Sequence, residues 1–78
     1  MKTKTFTIQL EDSDETFDET YHVDQEVIYS CPIGSGKVKI LEFEKKDTIK
    51  VISLETIDST KIAQGSTFEA SPEELIPF

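Results

Sequence analysis

The chain of 78 residues has no arginine and no tryptophan, and it has one cysteine, one histidine, three glycines and three prolines. Without arginine it lacks the planar fork that grips phosphate or guanine at two points, so specific nucleic-acid recognition is disfavoured. The lone Cys31 cannot close an internal disulfide, and a secreted chain this short usually needs several; a reducing cytoplasm is expected. No stretch nears the ~20 apolar residues of a membrane span. The opening MKTKTFTIQL runs into acids, not into a signal-peptide core, so no membrane partner is expected and the chain from Met1 reads as a whole gene product. Leucine and alanine are also scarce. Four Leu and two Ala stand against 22 Val, Ile and Thr, whose branched side chains lose freedom in a helix and suit a pleated surface, which excludes a helical bundle.

Acid is what the chain has in excess. Sixteen Asp and Glu against eight Lys give a formal charge of −8, with −6 in residues 1–26 and −2 in the rest. Self-repulsion of that size predicts stabilisation by salt or mild acid. At 36% hydrophobic residues the core is small, and the length suits a single domain over residues 1–78.

Period-two patterning runs through most of the chain. Thr3, Thr5 and Thr7 alternate with Phe6 and Ile8 in a first strand ending near Leu10. Residues 11–20 are too charged for burial and lack helical spacing, so an acidic, mobile loop is expected there. Tyr21 and Val23, then Val27 and Tyr29, predict two strands around a turn at Asp24-Gln25-Glu26. Pro32, Gly34 and Gly36 supply a tight turn. The next strand changes faces between Ile40 and Leu41, and a second slip is expected between Val51 and Ile52. Paired slips in neighbouring strands indicate bends of the kind that close a small barrel. Glu44-Lys45-Lys46-Asp47 is the hairpin turn between these strands. Gly65 invites a turn and Phe68 anchors the core. Ser71-Pro72-Glu73-Glu74 spells a capping box with Pro at the first helical position, and Pro77 limits it to one 3₁₀ turn before a short closing strand.

Taken together, Glu26-Val27-Ile28-Tyr29, Gly36-Lys37-Val38, the Ile/Val strand and Ser71-Pro72-Glu73-Glu74-Leu75 resemble SH3-like small β-barrels of the KOW and Tudor type over residues 26–77. The resemblance implies an all-β, five- to six-stranded SH3-like barrel with a short C-terminal 3₁₀ turn. It leaves residues 1–25 without a counterpart, and the basic character of nucleic-acid-binding relatives is missing; such barrels host many functions.

Motifs for small-ligand chemistry fail on inspection. Gly34-Ser35-Gly36-Lys37 is not a phosphate loop, because Cys31 stands where the leading glycine belongs and Val38 where Ser or Thr is needed. Asp12, Asp14 and Glu15 lack the glycine of a calcium loop; Phe17 occupies its place. His22 and Cys31 are each alone. A core this small seldom encloses a catalytic pocket, so neither an enzyme nor a cofactor is expected. The aromatic residues are what the core of a small barrel needs, with Tyr21 and Tyr29 expected at the surface because their hydroxyls want water or a partner.

Two functions remain. In one, the barrel is a protein-interaction module touching its partner through Tyr21, Tyr29, Ile33 and Ser35. In the other it is a small acidic inhibitor of the phage type. There Glu11, Asp12, Asp14, Glu15, Asp18 and Glu19 stand in for phosphates and occupy the basic groove of a DNA- or RNA-handling enzyme. Direct nucleic-acid binding would need Lys37, Lys39, Lys45, Lys46 and Lys50 gathered on one face.

Overall fold

The computed structural model describes residues 2–9 and 14–77, with the side chain of Glu44 left out. The expected all-β class holds. Seven strands form: β1 (Thr3–Gln9), β2 (Thr16–His22), β3 (Glu26–Cys31), β4 (Gly34–Lys45), β5 (Thr48–Ser53), β6 (Thr67–Ala70) and β7 (Leu75–Pro77), with a 3₁₀ turn at Pro72–Glu74 before the last. Hydrogen bonding divides them into a two-stranded sheet, β1-β2, and a five-stranded sheet in the order β6-β5-β4-β3-β7.

The five-stranded sheet is open, so the expected closed barrel ladder is corrected on this point. Its inner face carries Val27, Tyr29, Val38, Ile40, Ile49 and Val51, and the β1-β2 hairpin lies over it with Phe6 and Tyr21 turned inward. Phe6 stacks at a tilt 6.1 Å from Tyr21 and 6.1 Å from Phe43, while Tyr29 meets Phe68 edge-on at 4.9 Å. Such pairs prefer these tilted geometries because ring edges are positive and ring faces negative.

One of the two expected face changes is present. Ile40 pairs with Val51 and Glu42 with Lys50, leaving Leu41 as an extra residue that flips the parity of β4 and turns Phe43 inward. The turn after β2 docks at the same point: Asp24, at φ +72°, donates to the Ile40 carbonyl, and Ile40 donates to that of Gln25. The slip expected between Val51 and Ile52 is absent. β5 keeps its alternation through Ser53, which is held by pairing with Val38 and by its N–H to Ser66. Ser53, which the expected slip to Ile52 and Leu54 would have turned outward, therefore points inward. It is 1% exposed, and its hydroxyl donates to the Glu55 carbonyl.

The loop expected over residues 11–20 is corrected from Thr16 onward, while residues 11–13 lie outside the described residues. Residues 16–20 belong to β2, where Thr20 pairs with Thr5 and Asp18 with Thr7, both with side-chain hydrogen bonds, of 2.8 and 2.9 Å. Cross-strand partners of this kind let a charged segment extend as a strand. The tight turn after Cys31 is Pro32-Ile33, and Gly36 is required by a close approach: a Cβ there would lie 2.5 Å from Ile57 Cγ1. The capping sequence acts through Glu74, whose carboxylate accepts the Ser71 N–H at 2.9 Å. β7 then pairs with β3, Leu75 opposite Tyr29 and Ile76 opposite Ile28.

Candidate functional site

The hairpin is fixed at its base. Lys4 lies 5.1 Å from the Phe6 ring centroid and its Nζ donates to the carbonyls of Lys45 and Lys46, both at 3.2 Å, tying β1 to the β4-β5 turn. Toward the tip, Ile8 opposes Phe17 and Phe6 opposes Glu19 across β1-β2, so Ile8, Phe17, Glu19 and Tyr21 share the inner face. Facing them are Glu73, Leu75, Ile76 and Pro77. The groove between holds about 220 Å³. Phe17 and Ile76, at 43% and 52% exposure, are two of the three exposed large apolar side chains among the described residues. Among the described residues two carboxylates and no lysine line the groove.

Tyr21 and Tyr29 are not surface residues. Tyr21 is 0% exposed and its hydroxyl donates to the carbonyl of Leu75 at 3.1 Å and to that of Pro72 at 3.3 Å. Tyr29 is 9% exposed, and its hydroxyl donates to Glu74 Oε2 at 3.4 Å. The expectation of exposure rested on the need to satisfy two phenols; the 3₁₀ turn and its flanks supply those partners instead of water. Burial, and secondarily the Glu19 carboxylate, push the Tyr21 pKa up to about 12. Burial, then Glu74, and then Cys31 do the same for Tyr29, also to about 12.

Ile33 and Ser35 are exposed at the β3-β4 turn, Ile33 at 47%. They sit apart from the groove lining, and Cys31 beside them is half-buried, its thiol donating to the Gly34 carbonyl at 3.3 Å.

The six acids of the nucleic-acid-mimic reading do not form one row. Glu11 and Asp12 lie outside the described residues; Asp14 and Glu15 are exposed before β2. Asp18 and Glu19 are consecutive in a strand and therefore face opposite sides, Asp18 outward to Thr7 and Glu19 inward over the groove. Besides Glu55, the loop 55–66 carries the acid Asp58. Its carboxyl is held below the usual range by hydrogen bonds from the Thr60 hydroxyl and N–H and the Lys61 N–H.

Lys37, Lys39 and Lys50 share the outer face of the five-stranded sheet with glutamates. Lys37 lies 4.0 Å from Glu26 and Lys50 4.0 Å from Glu42, while Lys45 at the hairpin end lies 3.2 Å from Glu69. Among the described residues no group of three His, Cys, Asp or Glu side chains is placed to hold a metal ion. No described helix is long and apolar enough to cross a membrane. A second, more polar cleft of about 480 Å³ runs along β1 from Lys4 to Ile8, walled by Lys46, Asp47 and Ser71–Glu73.

The groove was not foreseen from the sequence. Phe17 sits in an acidic run and Ile76 beside a proline, both without an alternating apolar neighbourhood; the shared parity of Phe17, Glu19 and Tyr21 was the one available signal. No family model matches the chain, and no curated protein or solved structure matches it.

Proposed function

We propose that the chain is a non-enzymatic protein-interaction module built on an SH3-like arrangement. The meander β3-β4-β5-β6, the 3₁₀ turn and the return of β7 to β3 support that arrangement. The observation that carries the function is the exposure of Phe17 and Ile76 on opposite walls of one apolar groove. Exposed apolar side chains gathered at a concavity mark contact surfaces more than isolated ones do. Ile33 and Ser35 form a second exposed point, whereas Tyr21 and Tyr29 support the module from inside by holding the groove wall in place.

The alternative is the acidic inhibitor that imitates nucleic acid. Asp14, Glu15 and Asp18, all exposed, support it, together with the −6 charge of residues 1–26. Opposite facing of Asp18 and Glu19 weighs against a phosphate-like row, and the lysine and glutamate pairs on the sheet weigh against direct nucleic-acid binding.

Affinity capture from lysate with elution by rising salt separates the readings. A protein retained through high salt and lost with Phe17→Ser supports the module. A basic nucleic-acid enzyme released at moderate salt supports the inhibitor if it is lost when Asp14, Asp18 and Glu19 become amides. An empty capture refutes both.

A further inference from the structure

Resting on the module reading, we infer that the groove beneath the hairpin tip binds a segment carrying an apolar side chain next to a lysine or arginine. The apolar part of that recognition is built from Ile8, Phe17, Leu75 and Ile76, and the two carboxylates that line the same groove are Glu19 and Glu73. They come from different elements, β2 and the 3₁₀ turn, so the groove presents negative charge from both walls. A cation seated between them also meets the exposed ring of Phe17, whose face attracts positive charge. Among the described residues no lysine lines the groove to compete, and the whole chain carries −8. Charge complementarity therefore selects a basic segment, and it disfavours a second copy of this acidic chain.

The mode of contact is also constrained. β7 forms one wall, yet it has little N–H to offer a further strand: the Leu75 N–H donates to the Pro72 carbonyl, Ile76 is in register with Ile28 of β3, and Pro77 has no N–H, while the Leu75 carbonyl already accepts from Tyr21. Strand addition along β7 is disfavoured, so the ligand is held by side chains, an apolar anchor in the groove and a cation at its rim.

The test uses the full chain, isotope-labelled, titrated with blocked octapeptides and followed by backbone amide shifts. A leucine and lysine peptide is expected to move Phe17, Glu19, Leu75 and Ile76. Phe17→Ser is expected to weaken its binding about tenfold or more, as truncating a central anchor does. The pair Glu19→Gln and Glu73→Gln is expected to weaken it several-fold and flatten its salt dependence. Phe17 and Ile76 are exposed, so Phe17→Ser and the second variant Ile76→Ser keep the fold; unchanged amides in β4 and β5 verify this. Equal binding of a serine and lysine peptide, or of a leucine and glutamate peptide, overturns the inference. So do shifts confined to other faces, or shifts at these residues that follow protein concentration without peptide. Failure here with a partner still captured from lysate removes the groove assignment alone, whereas an empty capture removes the module reading.

Discussion

Replacing Tyr21 by Phe tests how the hairpin, the 3₁₀ turn and the closing strand are held together. The ring stays buried, and the change deletes one hydroxyl whose donations reach the Leu75 carbonyl at 3.1 Å and the Pro72 carbonyl at 3.3 Å. A net intramolecular hydrogen bond contributes about 1 kcal/mol, and an acceptor left buried without a donor costs about 1–3 kcal/mol. The Leu75 carbonyl loses its donor in a buried setting, so the expected loss is about 2 kcal/mol. For a domain of this size that lowers Tm by roughly 8–16 °C. Tyr29→Phe is the internal comparison. Its hydroxyl is 3.4 Å from Glu74, at the long end of hydrogen bonding, and Glu74 keeps the Ser71 N–H at 2.9 Å, so the expected loss is below ~1 kcal/mol. Urea unfolding of both variants with an unchanged slope measures the two losses directly. A Tyr21→Phe loss within ~0.5 kcal/mol of zero, or smaller than that of Tyr29→Phe, would refute the assignment of the Tyr21 hydroxyl as the link.

Two further outcomes follow from the same geometry. Gly36→Ala sets a methyl 2.5 Å from Ile57 Cγ1 and 3.1 Å from Glu55 Oε1, with an expected loss of about 1–3 kcal/mol. In an Ile57→Ala background the penalty shrinks, and a double-mutant cycle of thermal melts that finds no coupling rejects the steric account. Both tyrosines favour the protonated phenol in the folded state, their pKa rising from 10.0 to about 12, so this stabilisation is complete below pH 10 and lost as pH rises through about 12. At ~1.4 kcal/mol per pH unit the loss is on the order of a few kcal/mol for the fully buried Tyr21 and smaller for Tyr29. Phe at position 21 should flatten the decline of stability between pH 10 and 12, and a variant with the wild-type slope would contradict the burial account.

The all-β class, the turns at Asp24, Pro32 and Lys46, the face change at Leu41 and the single 3₁₀ turn were legible in the residues because each rests on local chemistry. Branched side chains favour strands, proline and glycine punctuate them, and a parity change in a strand can be absorbed by an extra residue in its ladder. Ser53 eluded that reasoning because strand pairing on both sides overrode the apolar pattern of Ile52 and Leu54.

The tertiary structure decided the fate of the polar groups. Whether a tyrosine hydroxyl seeks water depends on which carbonyls lie within 3.3 Å of it, and residues 72 and 75 are distant in the chain from Tyr21. The groove was decided the same way: Phe17 and Glu19 share a wall because strand parity aligns them, and Glu73 and Ile76 oppose them because β7 returns to β3 beneath the hairpin. Composition by itself determined that the chain is acidic and β-rich. Where two of those acids flank an apolar surface was set by long-range strand pairing, which depends on the whole set of cross-strand partners and not on any one segment.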